Sequence, residues 1–519
     1  MVCGWTASRA KSLWLSVELR DSLLVATPPR RKLSYSKART ESLRLSAREA
    51  AQPQTVNETS VVRVDKKGEA FDMFPNPQDA LPLMRKPTVE RYRILAGDLV
   101  VATKAFKSGN QKAMGKWAEK WIKALARVYS HHVEPSRLKA SIDRTIDRVE
   151  EFATRKLGSQ APTRLSDAQF VIASSHGFET WAKFVKHIKT LSNKTSTVAR
   201  FEAAADAIVT GDLKTLSQLL RKDPKLAQVR STREHNATLL HYVSANGVEG
   251  YRQKTPKNAV KIAQALLDAG AEVDAEADVY GGGATTLGLV GTSVHPFRAG
   301  VQNPLMQVLL DHGAEIDHPK SAGNESSAVL GCLANGRGEA AVYLAERGAR
   351  LSLEAAAGVG RLDIIQRAFT ESGKLKRGVT KKEIQSAFTY ACSWGRINVI
   401  EFLLKKGVSI KGHGGDGQTP LHCAAIFGQL ETIKYLLKFD PPLEARNMYG
   451  GTVLGQTAWS AAHGGDPELY VEIIKTLFAA GAKLPDRHVP VNKTIDDLLL
   501  RYGSVPEPTW YWFGEKPRK

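Results

Sequence analysis

Cysteine is scarce in this chain of 519 residues, which has four in total. They are Cys3, Cys332, Cys392 and Cys423, which lie far apart and form no CxxC pair. This usage argues against both a disulfide framework and a zinc site, and it is typical of a reducing compartment. We therefore predict a cytoplasmic protein without a bound metal.

Long apolar runs and catalytic signatures are also missing. No run reaches the roughly 18–20 apolar residues that span a bilayer, so we expect no membrane segment. The sequence has no HExxH, GxSxG, Walker or paired acid/base signature, so we predict neither enzymatic activity nor a cofactor. The stretch Tyr280-Gly281-Gly282-Gly283 lacks the preceding strand and following Lys-Ser/Thr of a phosphate-binding loop, and we interpret it as a turn.

Positive charge is abundant and unevenly placed. The formal net charge is +20, and residues 1–200 hold 36 Lys and Arg against 19 Asp and Glu, whereas the remainder is nearly balanced. Residues 1–60 are rich in Ser and Arg without periodicity, so we predict a disordered basic tail and linker over residues 1–86. A transit-like peptide is left open, whereas Glu18 follows the short apolar piece 13–15 too soon for a secretory signal.

A helical pattern begins near Pro87 and predicts a small helical domain over residues 87–195. In its last part, residues 165–191, Gly177 separates two helical segments. Basic charge and a helix–Gly–helix pattern leave a DNA reader as the alternative. The apolar positions of the second segment, Trp181, Phe184 and Ile188 among them, favour an ordinary docking face.

The most informative stretch is residues 416–444, which predicts two short helices joined by a turn. Thr419 suits the N-cap, Pro420 the first helical position, and Gly428 the end of the first helix. Apolar residues recur at helical spacing in both halves. A unit this short cannot bury its own apolar face, so it needs similar neighbours on both sides.

The string Thr419-Pro420-Leu421-His422-Cys423-Ala424 resembles the ankyrin-repeat signature T-P-L-H-x-A. The resemblance implies an all-α ankyrin-repeat solenoid of about eight helix-turn-helix units over residues 198–485, with a C-terminal cap helix and tail over residues 486–519. It also makes His422 and the corresponding His241 structural, and we expect Cys423 to face the interior. The helical leader is similar to those that precede ankyrin arrays in many bacterial proteins.

Two insertions interrupt consecutive units at the same point, at residues 247–257 and 294–303, and we expect the two loops to touch or nearly touch. They and the adjacent turn supply basic and aromatic side chains that suit an acidic protein segment or an anionic small molecule. We predict partner contacts at Tyr251, Arg252, Lys254, Tyr280, His295, Phe297 and Arg298.

The function that the resemblance implies is a non-catalytic scaffold that binds another protein through the concave face of the array, the inserted loops, or both. Two alternatives remain. The basic domain 87–195 could bind nucleic acid, or the inserted loops could form an unrecognised enzyme in which His295 is required for turnover. The sequence names neither the partner nor an oligomeric state.

Overall fold

The computed structural model describes residues 63–64, 70–71, 88–110, 113–119, 157–158, 162–318, 327–414, 417–462, 466–484, 487–488 and 493–506. The tail predicted over residues 1–86 lies outside these ranges, except for strands β1 (Arg63–Val64) and β2 (Ala70–Phe71), which pair antiparallel. The chain divides into a central unit, residues 72–352, and a terminal unit, residues 1–71 with 353–519. The predicted array 198–485 thus contributes to both units.

The central unit begins with helices that share one apolar core. They are α1 (Val89–Lys107), α2 (Leu165–Ser175) and α3 (Trp181–Leu191), together with helical residues 113–119. The rings of Tyr92 and Phe184 meet edge-on at 4.7 Å inside this core. On α3, Phe184 and Ile188 are buried and Trp181 is half-buried, so its apolar face packs inward.

Pairs of short helices follow in the central unit. They are α4 (Thr197–Thr210), α5 (Leu213–Lys222), the 3-10 helices Pro224–Gln228, Leu239–Ser244 and Gly250–Arg252, α6 (Ala259–Asp268), α7 (Thr286–Thr292), α8 (Val294–Arg298), α9 (Gln302–Asp311), α10 (Ala328–Ala334) and α11 (Gly338–Glu346). The first members of successive pairs pack side by side, in the order α4, Leu239–Ser244, α7 and α10. The second members, α5, α6, α9 and α11, form a parallel row.

The terminal unit has the same arrangement. Its helices are α12 (Leu353–Val359), α13 (Leu362–Arg367), α14 (Lys381–Ser393), α15 (Ile397–Lys405), α16 (Pro420–Ile426), α17 (Leu430–Leu437), α18 (Val453–Ala462), α19 (Pro467–Ala479) and α20 (Lys493–Arg501). The first helices α12, α14, α16 and α18 stack in chain order, and α20 packs on α19. Strands β3 (Arg487–His488) and β4 (Val505–Pro506) pair in parallel beside α20. In the described part of the chain, no helix combines the length and apolar character needed to cross a bilayer.

Local sequence explains how each pair forms. On α16, Leu421, Ala424 and Ala425 are fully buried, as their spacing predicts. Gly428 has φ +64°, a conformation that favours glycine, and a Cβ there would lie 3.0 Å from Leu469 Cδ2. Cys423, expected to face the interior, is instead half-exposed, because it lies on the opposite side of this short helix.

A buried histidine connects each of two helix pairs to the turn that follows. The His422 Nδ1 accepts from the backbone N–H of Thr419 at 3.3 Å, and its Nε2 lies 3.2 Å from the Gly451 carbonyl oxygen. In the central unit, His241 repeats this arrangement with Thr238 at 3.1 Å and the Ala284 carbonyl at 3.2 Å. The structural role predicted for both histidines is confirmed by these bonds.

These bonds require a neutral ring, because one nitrogen must accept while the other donates. Burial lowers the pKa of His241 to about 4. In the unfolded chain a histidine titrates near pH 6.5. Hence the contribution of His241 to stability is complete above about pH 6.5 and declines as the pH falls towards 4, by at most about 3 kcal/mol.

We therefore expect His241→Asn to flatten the pH dependence of unfolding. Urea unfolding of the full chain at pH 7 and pH 4.5 should show a smaller loss of stability in this variant than in the unsubstituted protein. The same substitution at the exposed His312 serves as the control. Equal pH dependence in all three proteins would contradict a buried neutral His241.

Candidate binding surface and the buried charge cluster

A cluster of buried charges lies where the helical leader, the first helix pair and the first inserted loop meet. Arg233 and Arg252 both contact Glu202 of α4 and Glu249 of the loop. The Arg252 Nη1 lies 2.8 Å from Glu202 Oε2 and 3.1 Å from Glu249 Oε1, and the Arg233 Nε lies 2.8 Å from the same Glu249 oxygen. Asp206 accepts a further bond from Arg252 Nη2 at 2.6 Å.

The two guanidinium groups keep the buried carboxylates ionised. Burial by itself would raise the pKa of Glu202, but the charges of Arg233 and Arg252 outweigh it and lower the pKa to about 2. The pKa of Glu249 is also held well below its usual range, because the same two arginines outweigh burial there. Paired charges at this depth are stabilised by shared hydrogen bonds, which the arginines donate to both oxygens of Glu202 and to Glu249 Oε1. The second Glu249 oxygen, Oε2, lies 3.7 Å from His235 Nε2 and accepts no hydrogen bond from the residues that the structure describes.

The cluster also joins the leader to the array. The backbone N–H of Glu234 donates to the Gly177 carbonyl at 2.7 Å, and His187 Nδ1 lies 2.8 Å from Thr232 Oγ1. The Arg233 guanidinium stands 5.8 Å from the centre of the Phe178 ring. Gly177, predicted as a helix break, therefore also provides a docking point for the turn that carries Arg233.

Arg252 was predicted to contact a partner, but its side chain is buried. Its side chain is 3% exposed and fully engaged inside the cluster, so it is not offered to a partner on this surface. The inserted loop 247–257 closes the charge cluster rather than extending from the array. The sequence did not reveal this because Glu202 lies about fifty residues before Arg252.

The other predicted contacts occupy separate places. Tyr251 lies in the 3-10 helix Gly250–Arg252, and Lys254 follows it with an exposed side chain. Tyr280 is 68% exposed, and its hydroxyl donates to Asn246 Oδ1 at 2.6 Å. It belongs to the turn that the glycines 281–283 complete with positive φ.

The second inserted stretch is largely helical, since α8 covers 294–298 and α9 starts at 302. His295 is half-buried, and burial lowers its pKa to about 4. Phe297 is 40% exposed with the Arg337 guanidinium 4.6 Å from its ring centre, and Arg298 is exposed. Arg252 of the first inserted loop thus contacts the preceding helix pair, whereas Phe297 of the second contacts the following helix pair. That the two loops form one site stays a prediction from the sequence.

A different surface carries half-exposed aromatic side chains at equivalent positions. Trp394 and Phe427 each follow the last residue of a first helix, α14 and α16, and each precedes a glycine of positive φ. Their ring centres are 5.1 Å apart with a tilt of 44°. Tyr390 lies one turn before Trp394 on α14, and Cys423 lies one turn before Phe427 on α16; both are half-exposed. We call these four residues the first-helix surface.

The first-helix surface was not singled out from the sequence. The repeated aromatic-Gly pairs, Trp394-Gly395 and Phe427-Gly428, are the signal that could have revealed it. An aromatic ring directly after a first helix packs on the equivalent ring of the next helix pair. The ring stays partly exposed to solvent because the helix ends at the residue before it.

Comparison with known proteins identifies part of this architecture. The family model described as ankyrin repeats (3 copies) matches residues 353–447. Residues 353–447 are ankyrin repeats. The human ASB11 ankyrin repeat domain, a crystal structure, matches with 21% identity over 54% of this chain and 99% of that chain, at a TM-score of 0.30.

The matched stretch contains α12 to α17 and hence the whole first-helix surface. The predicted helical fold with ankyrin repeats is confirmed by the family model and by the stacked helix pairs. Ankyrin repeats generally serve as protein–protein interaction modules, which is consistent with a scaffold.

The charge cluster yields a prediction for Arg252→Met. Removing this guanidinium leaves Glu202 and Glu249 buried with one counter-charge instead of two, and such a loss costs about 3–5 kcal/mol. Urea unfolding at pH 7 should show that loss, and hydrogen exchange should show it concentrated in α4 and the loop. Lys257→Met on the same loop removes an exposed charge and should change stability by less than about 0.5 kcal/mol. Similar stability of the two variants would contradict the structural role of Arg252.

Proposed function

We propose that this protein is a non-catalytic scaffold whose ankyrin repeats bind another protein through the first-helix surface. In the ankyrin family the working face is built from first helices and the turns between repeats. The Trp394–Phe427 pair carries the proposal, because these large rings remain half-exposed on two neighbouring first helices. Aromatic side chains in such positions are the ones that most often dominate the energy of protein interfaces.

The turn after α17 adds to the same proposal. Met448 is 50% exposed and Tyr449 is 59% exposed at the tip of the turn between α17 and α18. The Asn447 side chain holds this tip by accepting from the backbone N–H of Tyr449 and of Gly451. The turn therefore offers apolar side chains on a fixed backbone, which lowers the entropic cost of binding.

The exposed residues that the sequence singled out in the central unit, Lys254, Tyr280, Phe297 and Arg298, remain a second predicted contact region. The proposed location of this scaffold is the cytoplasm, because few and widely spaced cysteines are typical of proteins in a reducing compartment.

The proposed function is tested with two matched aromatic pairs. Trp394→Ala/Phe427→Ala removes the pair on the first helices, whereas Tyr435→Ala/Phe439→Ala removes a pair with ring centres 5.3 Å apart at the second helix α17. Affinity capture with the intact protein and both variants, quantified by mass spectrometry, should recover specific proteins that only the first variant loses. Circular dichroism shows whether each variant is folded.

Cys423 gives a readout that needs no substitution. Its thiol is half-exposed on the first-helix surface, whereas Cys332 and Cys392 are buried. A captured partner should slow alkylation of Cys423 by iodoacetamide, and the buried thiols report any general unfolding. Equal capture by all three proteins, with unchanged alkylation of Cys423, would contradict the proposal.

Nucleic-acid binding by the leader is the second candidate, because Lys183, Lys186 and Lys189 lie exposed along α3. On this alternative, a labelled 20-base-pair DNA duplex would bind the full chain at 50 mM salt with steep salt dependence, and Lys186→Glu/Lys189→Glu would weaken that binding. Absence of binding at low salt would remove this candidate.

A further inference from the structure

Cations gather at one end of the first-helix surface. Residues 369–414 hold nine Lys and Arg against three Asp and Glu. Six exposed cations of this set lie in three places: three in the turn before α14, two at the start of α14 and one in the turn after α15. In chain order they are Lys374, Lys376, Arg377, Lys381, Lys382 and Lys411. Their positions give this end of the repeats a strongly positive potential.

Three of these lysines belong to two chain segments that contact each other. Lys381 and Lys382 open α14, and one turn later Gln385 Nε2 donates to the Ser409 carbonyl at 3.1 Å. That bond brings the turn bearing Lys411 against the start of α14. We call Lys381, Lys382 and Lys411 the lysine cluster.

The lysine cluster has no ion-pair partner among the residues that the structure describes. The nearest carboxylate in sequence, Glu383, is already engaged, because it accepts from the Thr380 backbone N–H at 2.7 Å and from the Thr380 hydroxyl at 2.8 Å. With three lysines and one carboxylate, this helix start keeps a net positive charge.

The lysine cluster and the aromatic pair lie at opposite ends of the same helix. The exposed side of α14 runs from Lys382 through Ser386 and Tyr390 to Trp394. Twelve residues of helix span about 18 Å at 1.5 Å per residue. An extended peptide covers that distance with five or six residues at about 3.3 Å each.

Resting on the proposed function, we propose that the partner is a protein with an extended acidic segment whose Asp and Glu side chains contact the lysine cluster. Five or six residues away, an apolar side chain of the same segment packs on Trp394 and Phe427. The charges steer and orient the segment, and the apolar anchor supplies most of the affinity.

The aromatic geometry favours protein over nucleic acid as the occupant. Trp394 and Phe427 pack on each other at a tilt of 44°, so the two rings do not form parallel platforms for consecutive stacked bases. Their exposed parts instead suit an aliphatic or aromatic side chain.

The test is a selection of random 16-residue peptides, displayed on phage, for binding to the full-length protein. Enriched peptides should carry clustered Asp or Glu five or six residues from a large apolar residue. Lys381→Glu/Lys382→Glu should weaken their binding about tenfold or more, as should an increase in salt from 50 to 300 mM. Lys434→Glu/Lys475→Glu, which makes the same charge change on second helices, should leave binding unchanged.

The outcomes separate this inference from the proposed function. Peptides that depend on Trp394 and Phe427 but show no acidic preference, or that tolerate Lys381→Glu/Lys382→Glu, would overturn the acidic partner and leave the binding surface intact. No enrichment, or binding that ignores Trp394→Ala/Phe427→Ala, would overturn both. A labelled 20-nucleotide single-stranded DNA that binds the protein more tightly than the peptides and is lost with Lys381→Glu/Lys382→Glu would also overturn the acidic partner.

Discussion

The structure depends on one constraint: a short helix cannot bury its apolar side without a neighbour. Leu421, Ala424 and Ala425 are fully buried only because α14 and α18 lie on either side of α16. The buried histidines then fix the spacing, since His422 connects its own helix start to the carbonyl of Gly451 in the next turn. Within the described pairs, the first-helix edges and the turn tips remain on the surface, together with the outer sides of the second helices.

The elements that sequence predicts well are those governed by local rules. Thr419 as N-cap, the apolar spacing of α16 and α17, and Gly428 at positive φ each follow from interactions within a few residues. The two signature histidines were predicted from the family resemblance instead, since their Nε2 atoms contact the Gly451 and Ala284 carbonyls of the following turns. The apolar side of α3 was predictable for the same reason, since helical periodicity fixes which side chains share a face.

The functional candidates depend on long-range placement, which local rules do not give. Arg252 looked like an exposed basic residue in an inserted loop, yet Glu202, fifty residues earlier, draws it into a buried cluster. Trp394 and Phe427 are unremarkable one at a time, and they form a surface only because consecutive pairs stack in register. The lysine cluster likewise requires the turn 405–413 to fold back against the start of α14.

The central claim is that the half-exposed edge of the first helices is the contact surface of this protein. Its most direct test is photo-crosslinking of the full chain with benzoylphenylalanine placed at position 427 or, separately, at position 439. Both sites replace a phenylalanine, one on the first-helix surface and one beyond α17. The account predicts a discrete crosslinked polypeptide from position 427 and none from position 439; equal crosslinking from both, or none from position 427, would contradict it.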